Sequence, residues 1–151
     1  MTSRPHAVSV ILRGGLIAGT LDIAYACVFW YLKAKVAPVR IFQSVAAGLL
    51  GPASFKGGIE TAALGLGLHF LIALSFAVVY VVAARQWEQM RDRPWVFGAM
   101  AGLLLYTFMN YVVLPLSAAA PPSKDPLWIV LSVLVHVVFV GIPVALCARR
   151  G

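Results

Sequence analysis

Four long apolar runs decide what this chain can fold into. They extend from about Val10 to Leu32, Gly58 to Ala84, Trp95 to Ala118 and Pro126 to Ala148. A membrane-spanning helix needs roughly 20 mostly apolar residues, and each run meets that length. Of the 151 residues, 62% are hydrophobic and 11% are charged. A soluble domain would have about 45–50% and about 25%. The chain therefore reads as all-α: an integral membrane four-helix bundle, with residues 1–151 forming a single transmembrane domain.

The ends of the runs carry matching signals. Trp30, Tyr31, Trp87, Trp95 and Trp128 stand where interfacial aromatics belong. Pro94 and Pro126 stand at helix starts, a position proline favours. Pro115 and Pro143 fall inside the third and fourth runs, where each removes a backbone donor and predicts a kink. The connection after the first run is different in kind. From Pro38 to Gly51 it is helical in pattern but too short to cross. Ile41, Phe42, Val45, Ala46 and Leu49 line one face, and Arg40, Gln43, Ser44 and Ala47 line the other. That pattern predicts an amphipathic helix in the interface. An ordinary loop and a re-entrant half-helix are the alternatives. Gly48, Gly51, Pro52, Gly57 and Gly58 punctuate the return.

The net charge is +7, from 12 Lys and Arg against 5 Asp and Glu. The basic residues lie between the apolar runs, where a membrane protein meets anionic headgroups, so the expected partner is an anionic bilayer. No basic stripe with interleaved aromatics is present, and nucleic acid is not an expected partner. Four crossings put both termini on one side. That side carries Arg4, Arg13, Arg85, Arg91, Arg93, Arg149 and Arg150, seven in all, against five (Lys33, Lys35, Arg40, Lys56 and Lys124) on the other. The bias favours cytoplasmic termini. The five could instead form an inside headgroup-binding patch.

Cys27 and Cys147 are embedded in or at the end of apolar runs, without CxxC or zinc-type spacing. Both read as small membrane side chains. Ala24 to Cys27 resembles a signal-peptide cleavage site, but Asp22 and the continuing apolar run through Tyr31 favour a retained first helix. Soluble-type catalytic motifs are absent, and no catalytic residue is assigned.

Apolar burial does not drive helix association in lipid; close packing of small residues and polar contacts do. Gly15 and Gly19 form a GxxxG in the first run, and Gly98 and Gly102 form another in the third. These motifs serve a compact bundle, a homo-oligomer or a larger membrane complex equally well. Gly15 to Gly19 also echoes Gly98 to Gly102, and each is followed one run later by a histidine. Two parallel-repeat hairpins are one reading of that echo.

Each run holds a polar residue well inside: Asp22, His69, Asn110 and His136. A carboxylate in hydrocarbon costs roughly 2.5 kcal/mol or more, which makes it a site hypothesis by default. Counted by helical rise from the side of the termini, His69, Asn110 and His136 fall about 18–22 Å deep and Asp22 about 12–18 Å. Tyr25 shares a face with Asp22, Tyr106 with Asn110, and Ser132 with His136. The leading reading of this set is polar glue in a structural or accessory protein. A proton or solute path in a small transporter or channel is the alternative, since His and Asp are the usual materials of intramembrane relays. A haem held by His69 and His136 is a third reading, although the histidine count is minimal and no basic pair marks a propionate site. A metal on Asp22, His69 and His136 lacks ligand spacing. Lipid chemistry at Glu60 or Lys56 comes last.

The stretches GLIAG (Gly15 to Gly19), HFLIALSFAVVY (His69 to Tyr80), GAMAGLLLYTFMNYVVLPLSA (Gly98 to Ala118) and the terminal HVVFVGIP ending in Arg149-Arg150 resemble the YagU-like bacterial inner-membrane proteins. The likeness covers about two thirds of the chain. It implies an inner-membrane location and a four-span fold, and it carries over no activity. The Pro38 to Gly58 segment stands where YagU has a longer, more polar insert.

Overall fold

A computed structural model describes residues 4–150, with side chains from Ala7 onward. The side chains of Arg4 and His6 lie outside the described residues. Four helices are long and apolar enough to cross a membrane, and the chain is a multi-pass membrane protein. They are α1 (Arg4–Ala34), α3 (Gly58–Gln86), α4 (Pro94–Leu116) and α5 (Pro126–Arg149), with α2 (Pro38–Leu50) between the first two. Proline opens α2, α4 and α5, where its missing N–H has no intrahelical partner to lose. The start of α1 and the end of α5 share one side of the bundle, called here the terminal side.

α1 is the central helix, packed on both α3 and α5; α4 packs on α5, and α2 packs on α3. The predicted kinks take a specific form. The turns Met109–Val113 and His136–Gly141 are π-helical, and each ends shortly before a proline, Pro115 or Pro143. A widened turn accommodates the absent N–H and the ring that would strike the carbonyl one turn back.

Small residues set the helix spacing. A Cβ on Gly15 would stand 2.7 Å from Leu74 Cδ2, and one on Gly19 would stand 2.9 Å from Phe70 Cδ1, both on α3. A Cβ on Gly98 would stand 2.9 Å from Ala145 Cβ, and one on Gly102 would meet the His136 carbonyl on α5. The sequence echo thus has a geometric counterpart: each GxxxG faces the following membrane helix of its own pair. The best-buried residues, including Ala18, Ala77, Val81, Val140, Val144 and Ala145, fill the terminal-side half of the bundle.

α2 corrects the predicted face. Ile41, Gln43, Ala46 and Ala47 are buried, while Leu49 and Leu50 are exposed. Gln43 turns inward because its Nε2 donates to the Gly58 carbonyl, at the start of α3, at 2.9 Å. The outward side is mixed, with Arg40 and Ser44 exposed as well as the leucines. α2 crosses the first turns of α3, where the Phe42 carbonyl sits against Gly65. Its end is tied to the end of α4 by the Ala118 amide donating to the Gly48 carbonyl at 2.9 Å.

Gly102→Ala puts a methyl against the His136 backbone and is expected to cost about 1–3 kcal/mol. Gly67, with open space around it, is the control: Gly67→Ala should leave stability equal or slightly higher. Thermal unfolding of the two variants in the same detergent checks this.

Candidate functional site

The α1–α5 contact is a seam of four rungs. Asp22, Tyr25, Phe29 and Lys33 recur at i, i+3, i+7 and i+11 on one face of α1. They meet His136, Ser132, Trp128 and Asp125 of the antiparallel α5 in that order. Eleven residues of helix make the seam about 16 Å long.

At its inner end, Asp22 Oδ1 lies 3.8 Å from His136 Nδ1. That nitrogen lies 2.8 Å from the Ser132 carbonyl oxygen. A carbonyl only accepts, so Nδ1 carries the proton and donates to it, leaving Nε2 as the basic nitrogen of the neutral ring. The Tyr106 ring stands edge-on to the imidazole at 5.4 Å. Asp22 accepts no hydrogen bond of good length from His136. The side chains of Asp22 and His136 keep 23% and 18% of their exposure, so the pair is not sealed.

On the second rung, the Tyr25 hydroxyl and Ser132 Oγ approach one another, yet both are buried without a well-formed hydrogen bond. Tyr25 stacks on Trp128 at 5.4 Å, and Phe29 and Trp30 pack on the same indole at 5.0 and 5.2 Å. This aromatic block covers the far-side approach to Asp22. The outermost rung is an ion pair between Lys33 Nζ and Asp125 Oδ2. Lys33 also lies over the Phe29 ring, at 5.5 Å. Asp125 also caps α5. Its Oδ1 accepts from the Leu127 amide at 2.9 Å and the Trp128 amide at 3.2 Å.

Of the predicted polar set, Asp22, Tyr25, Tyr106, Ser132 and His136 come together. His69 and Asn110 do not join them. His69 Nε2 donates to the Gly19 carbonyl at 2.8 Å, tying α3 to α1. Asn110 turns back on its own helix and donates to the Tyr106 carbonyl at 2.9 Å. The two histidines thus have different partners, and no three His, Cys, Asp or Glu gather as a metal site among the described residues. Glu60 is exposed in the first turn of α3, where a helix N-terminus favours a carboxylate.

Sequence reasoning misses the outer rungs. The available signal is Asp125-Pro126, a capping residue followed by an N1 proline. No family model matches the chain, and no curated protein or solved structure matches it either.

The ion pair and the cap made by Asp125 can be separated. Asp125→Asn keeps a competent cap and loses only the ion pair, so it should cost at most about 1 kcal/mol. Asp125→Ala loses both and should cost a further ~0.5–2 kcal/mol. Unfolding midpoints of the two variants, measured side by side, test the assignment.

Proposed function

We propose that this chain is a small proton-handling protein of the proton-coupled transporter or channel class, with Asp22 and His136 as its protonatable centre. The observation that carries this reading is the incompleteness of the cluster. A set of residues kept only as glue gains by pairing its groups, and an unmade buried hydrogen bond costs roughly 1–3 kcal/mol. Here the hydroxyls of Tyr25 and Ser132 are buried without well-formed bonds beside a carboxylate that accepts none from its neighbour. Those three groups are the polar partners a water needs to bridge.

The chemistry follows from the tautomer. A proton arriving at Nε2 makes an imidazolium whose charge lies 3.8 Å from the Asp22 carboxylate. At an effective dielectric near 20, an ion pair at about 4 Å is worth on the order of 4 kcal/mol. A proton taken up by His136 would place opposite charges side by side on α1 and α5.

A second reading, a structural or accessory protein, draws on the terminal-side half of the bundle. Val140, Val144 and Ala145 are buried there in close contact with their neighbours. Packing of that kind suits an accessory subunit whose polar set serves to hold the helices. The arginine excess favours cytoplasmic termini, and the resemblance to YagU-like proteins supports the bacterial inner membrane.

Proton flux in proteoliposomes tests the first reading. Wild type should acidify the lumen under an imposed gradient, and Asp22→Asn and His136→Gln should each lower the rate at least tenfold. Equal flux from Asp22→Asn would remove the proposal and leave the accessory reading.

A further inference from the structure

On the terminal side a small recess lies where α1, α3, α5 and the turn before α4 meet. Val10 lines it from α1, Val81, Ala84 and Arg85 from α3, Ala148 from α5, and Arg91 from the short helical turn Gln89–Asp92. Val10, Val81, Ala84 and Ala148 are buried and form an apolar floor. The volume of the recess is about 10 Å³, room for about one water-sized atom. Val10 stands about 18 Å from Asp22 along α1, so nothing that follows depends on the Asp22–His136 reading.

Two arginines share this recess. Arg85, in the last turn of α3, suits the negative end of the helix dipole. That accounts for one cation and not for a second brought to the same place from the turn. Carboxylates stand close in the sequence: Glu88 lies three residues from each arginine, and Asp92 follows Arg91. Both are exposed, and neither forms an ion pair with Arg85 or Arg91 among the described residues. Arg40, on the far side, is the arginine whose side chain donates a hydrogen bond among the described residues; Arg85 and Arg91 donate none. Two like charges on one recess repel, and an apolar floor screens that repulsion less than water does. An anion between them removes it. Trp87 and Trp95 are exposed on either side of the turn, which sets the turn at the depth of lipid headgroups.

We propose that Arg85 and Arg91 together hold a phosphate-type oxyanion, with one of its oxygens in the recess above the apolar floor. Guanidinium groups match phosphate geometry and hold it through paired N–H donors. A single oxygen is the size of atom that the recess admits. The phosphate of an anionic lipid and free inorganic phosphate share this chemistry. Arg93 supplies a built-in comparison: it follows closely in the same turn, is exposed, and does not line the recess.

The test uses purified full-length protein in neutral detergent, with binding read by native mass spectrometry and by the unfolding midpoint. The probes are phosphatidylglycerol, phosphatidylcholine of the same acyl chains, inorganic phosphate, and sodium chloride at the ionic strength of the phosphate. A raised midpoint with phosphatidylglycerol alone supports the proposal with a lipid as the source. A raised midpoint with inorganic phosphate supports it with the free anion. Phosphatidylcholine and chloride should leave the midpoint where it is. Arg85→Gln and Arg91→Gln should each weaken the binding about fivefold, close to what one basic residue contributes at an anionic surface. Arg93→Gln, which removes the same charge outside the recess, should weaken it clearly less. Without any probe, Arg91→Gln should unfold no lower than wild type, because it relieves a repulsion. An equal loss of binding in Arg93→Gln, the mark of general surface charge, overturns the proposal. So does an equal shift with chloride, no shift with either phosphate source, or a lower midpoint of Arg91→Gln without probe, the mark of a purely structural arginine.

Discussion

At Gly102 the backbone of α4 meets the His136 carbonyl of α5, a contact that any Cβ would block. The rest of the site depends on that approach. Pro143 forces a wide turn over His136–Gly141, and a wide turn needs room on the side where its carbonyls project. Gly98 and Gly102 supply the room, and Gly141 reciprocates from the other helix. Held this way, α5 presents His136 to α1 at the depth of Asp22. Packing in lipid rewards such backbone approaches because no hydrophobic gain is available between helices.

The bundle divides along its length into two kinds of interior. The terminal-side half is filled by Ala, Val and Gly in close contact. The far-side half of the α1–α5 contact is the polar and aromatic seam, ending in the Lys33–Asp125 ion pair. One half is thus a close-packed clamp, and the other carries the polar groups, with Asp22 and His136 where the two meet.

The four membrane helices were legible because length and hydropathy determine them directly. Helical rise, being constant, also allowed Asp22 and His136 to meet, as they do at 3.8 Å. Azimuth was not legible. Which way His69 and Asn110 turn depends on where the neighbouring helix lies, and each found a backbone carbonyl instead of Asp22. The buried face of α2 was misread for a related reason. Gln43 turned in toward a carbonyl that sequence does not locate. The Lys33–Asp125 rung joins residues far apart in the chain, and only the register of the seam brings them together.

The site turns on how the His136 ring is held against Asp22 and the Ser132 carbonyl. Nitrogen-15 magnetic resonance of the His136 ring in bilayers reads its tautomer directly. In the wild type the neutral ring should carry its proton on Nδ1, donated to the Ser132 carbonyl. A neutral ring that carries its proton on Nε2 would contradict that arrangement.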